Sequence, residues 1–258
     1  MLSPDRKAFL EAAQSGATMI PVACSWPADL ETPLTTWLKV GDQRPPGVLL
    51  ESVEGGETLG RWSVVACDPV WTLSAARDGL ERTWRDNHRE TFSGNPFDCL
   101  RSCLEPYRPA TLPGLPPLGQ LYGMWGYELI RWIEPSVPVH PASADGPPDG
   151  LWMLMDSILI FDQVKRLITA VAYGDLSGQR NAATSPEDAW DGAMARINSL
   201  RERMAAPLPP VRPLNWRPDK GATPETRSNR TQEDFHQAVD QARDHIAAGD
   251  AFQLVVSQ

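Results

Sequence analysis

The chain has 258 residues, 41% of them apolar, which is enough for one large domain or two smaller ones. Its formal charge is −9, from 33 acidic and 24 basic side chains, which excludes the basic footprint of a nucleic-acid binder and any polybasic membrane-surface patch. No stretch approaches the roughly 18 consecutive apolar residues of a membrane-spanning helix.

The opening MLSPDRKAFLEAAQSG lacks the basic and apolar regions of a secretory signal. Four cysteines, Cys24, Cys67, Cys99 and Cys103, are too few and too irregular for a disulfide scaffold. Both features predict a reduced, cytoplasmic protein. The 25 prolines are about double the usual share of roughly 5%.

In chain order, Ser3 and Pro4 predict the start of a short helix, with Gly16 past its end. Met19–Ser25 reads as a buried strand. Thr32-Pro33 repeats the cap-plus-proline signal for a helix over Leu34–Val40. Gly47–Val53 and Arg61–Cys67 read as strands joined by the glycine turn Glu54-Gly55-Gly56-Glu57, a β-hairpin. Asp68-Pro69 ends the second strand, because proline cannot continue a ladder. Val70–Ala75 and Glu81–Arg85 are further strands around Asp78-Gly79.

Asn95-Pro96 opens a helix with Phe97, Leu100 and Leu104 on one face. Pro106–Pro117 is proline-rich loop, Leu118–Trp125 a glycine-spaced strand, Tyr127–Ile133 a helical turn, and Val137–Gly150 a loop. Leu151–Phe161 and Arg166–Tyr173 read as two apolar strands joined by Asp162-Gln163-Val164-Lys165, a second hairpin. Thr184 or Ser185, then Pro186, Glu187 and Asp188, begin a helix with acids at its positive end. Six prolines between Ala206 and Glu225 mark a strap or linker. Thr231 with Asp234 then caps a helix whose stripe is Phe235, Val239, Ala242 and Ile246, stopped by Gly249. Ala251–Ser257 reads as a strand. A helix and strand of about 30 residues cannot bury their own face, so the pattern favours a chain that continues beyond Gln258.

Few residues carry a chemical signature. The four histidines (His88, His140, His236, His245) have no metal-ligand spacing. Cys99 and Cys103, one helical turn apart, have no second pair and read as two half-buried thiols. Gly119, Gly123 and Gly126 do not form a nucleotide fingerprint; they read as glycines that let another backbone approach. Asp156 and Asp162 flank an apolar strand and read as turn and edge residues. Glu51-Ser52 is different. A carboxylate and a hydroxyl at the end of an apolar strand suit a small zwitterion with an apolar side chain, although plain turn chemistry explains the same pair.

The motifs Leu49-Leu50-Glu51-Ser52, Gly60-Arg61-Trp62-Ser63, Asp68-Pro69, Gly123-Met124-Trp125-Gly126-Tyr127-Glu128, Ile133-Glu134-Pro135, Met155-Asp156 to Phe161-Asp162, and Ala248-Gly249-Asp250-Ala251-Phe252-Gln253 occur in that order. Together they resemble the large subunit of anthranilate synthase. The resemblance implies an α+β fold of largely antiparallel sheets packed with helices. It implies an amino-terminal regulatory domain over 1–205, a proline-rich linker over 206–228, and the incomplete start of a chorismate-binding domain over 229–258. It implies conversion of chorismate and ammonia to anthranilate and pyruvate with Mg²⁺, the ammonia coming from glutamine through an amidotransferase partner. It also implies feedback inhibition by L-tryptophan at the positions matched by Glu51 and Ser52. In that family the catalytic acids and metal ligands lie downstream of residue 258, so the fragment alone is expected to be inactive. The alternatives are the large subunit of aminodeoxychorismate synthase and a non-catalytic amino-acid-binding regulatory domain.

Overall fold

The computed structural model describes residues 2–41, 46–51, 60–76, 79–111, 119–134, 136–137, 147–210 and 227–258. The chain divides into two units, Met1–Pro210 and Val211–Gln258.

The first unit begins with β1 (Leu2–Ser3) and α1 (Arg6–Gln14). The cap of α1 is Asp5, whose carboxylate accepts from the Ala8 N–H, and not Ser3, which is paired in β1. An aspartate two residues later offers the same capping chemistry with a full negative charge. β2 (Met19–Pro27) and α2 (Pro33–Val40) follow, the latter with the Thr32 capping box and proline in its first turn. Next come β3 (Gly47–Leu50), β4 (Trp62–Cys67), β5 (Trp71–Ala76) and β6 (Gly79–Trp84). β7 (Arg89–Phe92) is a polar strand that the apolar pattern does not reveal; its four residues alternate exposed and half-buried. α3 (Pro96–Leu104) is capped by Asn95, with Cys103 its buried cysteine and Cys99 half-buried. β8 (Leu121–Trp125) leads through a short 3-10 turn to α4 (Ile130–Ile133). β9 (Gly150–Leu154), β10 (Ser157–Asp162) and β11 (Leu167–Asp175) precede α5 (Pro186–Ala205), which Ser185 caps.

Two antiparallel sheets result, in the orders β1-β2-β11-β10-β4-β3 and β7-β6-β5-β9-β8. Period-two alternation explains how they stack. Val64, Ala66, Ile158, Ile160 and Val171 share one buried cluster with Trp71, Leu73, Trp84, Trp152 and Leu154 of the smaller sheet. Their sequence neighbours Val65, Cys67, Leu159, Phe161 and Ala170 face the opposite way, onto Val40 of α2 and Leu200 and Met204 of α5. Phe9 of α1, Ile20, Val22 and Ala172 pack with Trp190, Ala193 and Ile197 of α5. The larger sheet is therefore the middle layer, covered on both faces, which is why its strands read as unbroken apolar runs.

The predicted single strand Leu151–Phe161 is two strands in different sheets. β9 belongs to the smaller sheet and β10 to the larger, and the chain changes sheet at Met155-Asp156. It changes sheet a second time at Asp68-Pro69-Val70, between β4 and β5. Asp68 adopts a left-handed φ of 65° there. Both crossings are pinned by Arg85. Its Nε donates to the Pro69 carbonyl at 3.1 Å, Nη2 donates to the Asp68 carbonyl, and Nη1 and Nη2 reach Asp156 at 3.0 and 2.9 Å. Asp156 is thus a buried ionic anchor at a sheet corner rather than a turn residue, and only 5% of its surface is exposed.

Gly123 behaves as predicted: a Cβ at this position would lie 2.2 Å from the Leu151 carbonyl oxygen of β9. A Cβ at Gly126 would lie 3.2 Å from the Asp149 carbonyl, whereas at Gly119 the nearest atom among the described residues, the Leu121 nitrogen, is 3.9 Å away.

In the second unit, α6 (Gln232–Ala248) has the predicted Thr231–Asp234 capping box and a left-handed Gly249 with φ 83°. None of its residues is buried. The predicted strand over 251–257 does not form. Phe252 and Val255 are 96% and 82% exposed, and no described residue pairs with this segment as a ladder.

Candidate functional site

Glu51, the first residue of the predicted pair, follows the end of β3 at the outer edge of the larger sheet. Leu49 pairs with Val65 and Leu50 with Val64, the last pair of the ladder, and Glu51 follows it directly. Val48 points into the core between the sheets. Leu49 leans on the α2–α5 side. Leu50 is 52% exposed, and Glu51 is exposed beside it. Ser52 and the predicted turn Glu54-Gly55-Gly56-Glu57 lie outside the described residues.

The partner strand is held firmly at this end. Arg61 donates through Nε and Nη2 to the two Asp162 carboxylate oxygens at 3.0 and 2.7 Å. The Arg61 guanidinium also lies 4.4 Å from the Trp62 ring centroid. Asp162 further accepts from the Val164 and Lys165 N–H groups at 3.1 and 3.0 Å, which closes the β10–β11 hairpin. Burial opposes ionisation of Asp162. The Arg61 guanidinium and the two N–H groups more than offset that, and hold its carboxyl below the usual carboxylate range. Ser63 is fully buried, with Gln163 Nε2 donating to its hydroxyl at 3.4 Å. Asp162 thus fills the turn role read from the sequence and is in addition a second buried ionic anchor.

An exposed carboxylate, a half-exposed leucine and an outer strand edge can offer an ammonium partner, an apolar contact and unpaired backbone groups to one small molecule. Sequence reasoning singled out Glu51 but missed the ionic anchors. Their signal was available: single acids inside otherwise apolar runs, each needing a cation to be buried. Among the described residues no group of three or more His, Cys, Asp or Glu is placed to hold a metal ion. Among them, too, no helix is long and apolar enough to cross a membrane.

A family model for chorismate binding enzymes matches residues 54–258. Anthranilate synthase component 1 of Synechocystis is 48% identical over 263 aligned positions, covering 100% of this chain and 51% of that protein. The Pseudomonas putida protein of the same name is 34% identical, with 98% and 50% covered. The chain thus spans about half the length of the curated relatives it matches. Among solved structures, anthranilate synthase component I from Streptococcus pneumoniae superposes with a TM-score of 0.53 at 22% identity, covering 87% of this chain and 46% of that one. That likeness agrees with the mixed α+β architecture of two antiparallel sheets and packed helices.

Proposed function

Because this chain belongs to the chorismate binding enzyme family, we propose that it is the amino-terminal half of an anthranilate synthase large subunit. The observation that carries this reading is the end-to-end match to proteins named anthranilate synthase component 1. In the proposed reaction the whole protein converts chorismate and ammonia to anthranilate and pyruvate. A glutamine amidotransferase subunit supplies the ammonia. The Mg²⁺ that the resemblance implies has no cluster of ligands among the described residues, so no step is assigned to it through this part of the chain.

The proposed role of the 1–205 region is regulatory. L-Tryptophan binds at the β3 edge, its ammonium on Glu51, with the Ser52 hydroxyl adding a polar contact and the strand-end aliphatics receiving the ring. The exposed carboxylate beside a half-exposed Leu50 supports this reading. Binding there favours one arrangement of the whole protein over another and so lowers turnover.

The test is the product of the protein that carries this chain at full length. Chorismate with ammonium and Mg²⁺ is expected to yield fluorescent anthranilate, and the 258-residue chain alone to yield none. Aminodeoxychorismate as the product would replace this reading with the folate-pathway alternative, which no observation here favours.

A further inference from the structure

β8 is the last strand of the smaller sheet, hydrogen-bonded to β9 on one side only among the described residues. Just beyond its two ends, Gly126 donates to the Asp149 carbonyl and the Gln120 carbonyl accepts from the Met155 N–H, both on the β9 side. Backbone groups alternate sides along an antiparallel strand. The N–H groups of Leu121, Gly123 and Trp125 therefore face outward, where no described strand takes them. Within and just after this strand, Met124 is 48%, Tyr127 93% and Ile133 61% exposed. Open sheet edges ordinarily carry a device that stops another strand from adding: charge, proline, a bulge or shortness. The opposite edge of the same sheet has two of them, since β7 is four residues long and includes Arg89 and Glu90. β8 contains no charged residue and no proline, and its register with β9 is unbroken over five pairs. An unprotected edge followed by an exposed tyrosine and isoleucine has the composition of the buried centre of an interface.

We propose that the β8 edge, with Met124, Tyr127 and Ile133, is the face on which the remainder of the large subunit docks, the part of the polypeptide that follows residue 258. The inference rests on the reading of this chain as the amino-terminal half. The match to the Synechocystis protein accounts for 51% of that protein, so nearly as much polypeptide again lies outside it. Permanent interfaces are the more apolar ones, and a tethered occupant needs no charge to steer it because linkage keeps its effective concentration high. A second copy of the chain would bring a formal charge of −9 against another −9. A separable subunit docks through a more polar surface than this one.

The test compares amide hydrogen exchange over residues 121–134 in the 258-residue chain and in the full-length protein, each alone and dilute. The outward amides of Leu121, Gly123 and Trp125 are expected to exchange about tenfold or more slowly in the full-length protein. Tyr127→Lys gives a second reading. At 93% exposure the substitution is expected to leave the melting temperature of the 258-residue chain unmoved and to lower that of the full-length protein. Equal exchange in the two proteins overturns the proposal. Slowing that appears only when an amidotransferase subunit is added, or only as protein concentration rises, assigns the face to that subunit or to a second copy and overturns it as well. So does a full-length melting temperature that Tyr127→Lys does not change, because the slowing then arises elsewhere. None of these readouts involves the reaction product. Slowed exchange in a full-length protein that makes no anthranilate would overturn the catalytic reading and uphold the docking face.

Discussion

Replacing Asp156 by asparagine tests whether the sheet corner is held electrostatically. The carboxylate is 5% exposed and takes two hydrogen bonds, of 3.0 and 2.9 Å, from Arg85. Asparagine keeps one acceptor but turns an NH₂ group toward a guanidinium, and leaves Arg85 and Arg196 without their shared counter-charge. Removing one partner of a buried ion pair costs about 3–5 kcal/mol. The arginine side chains are 37% and 30% exposed, so water recovers part of that loss, and the lower end, about 3 kcal/mol, is expected. For a unit of this size, Met1–Pro210, that lowers the melting temperature by about 6–12 °C. Urea unfolding followed by tryptophan fluorescence measures it directly, because Trp71 and Trp84 are buried between the sheets. The midpoint is expected to fall with an unchanged slope. A loss below about 1 kcal/mol, the size of an exposed ion pair, would show that packing alone fixes the corner.

Gly123→Ala drives a Cβ into the Leu151 carbonyl, so β8 must lift from β9; a loss of about 2–3 kcal/mol and faster amide exchange in β8 are expected. Burial pushes the Tyr107 and Tyr173 phenols up to about 12. A raised pKa in the folded state stabilises below the unfolded value of about 10 and is lost as pH climbs through the folded value. Stability is therefore expected to fall between about pH 10 and 12, and less steeply in Tyr173→Phe; identical alkaline unfolding curves would contradict this. For Asp162 the sign is reversed: its lowered pKa gives stability that is present above the unfolded carboxyl value and lost in acid. Asp162→Asn is accordingly expected to narrow its gap from the parent chain as pH drops through the carboxyl range. Finally, Ser52→Phe in the full-length protein is expected to raise the tryptophan concentration for half-inhibition by about tenfold or more with turnover kept; an unmoved inhibition curve would remove Ser52 from the regulatory site.

Local chemistry was read well at four of the five predicted helix starts; at the first, Asp5 caps the helix in place of Ser3. The Thr32, Asn95, Ser185 and Thr231 caps all donate or accept as their spacing predicts, because a cap involves only three or four consecutive residues. What needed the third dimension was missed. Leu151–Phe161 looks like one strand because both of its halves are buried, and nothing apolar marks the point where the chain changes sheet. The mark is polar: Asp156, whose partners Arg85 and Arg196 lie 71 and 40 residues away. β7 was invisible because its stability comes from pairing with β6 and from the Arg82–Glu90 ion pair, not from an apolar face. The Glu51 end of β3 was legible as a polar strand terminus, but its setting between an outer edge and the Arg61–Asp162 anchor depends on long-range register.

The two sheet crossings, Asp68-Pro69-Val70 and Met155-Asp156, lie side by side under one arginine. The sheets are therefore bound like facing pages at a spine, and the remaining strand connections join neighbours within a page or pass through helices. Rewiring the chain should respect that geometry. A circular permutant opened at Gln163–Lys165 interrupts only one tight turn. One opened at Met155-Asp156 frees a page, and with it the shape of every surface that both sheets share.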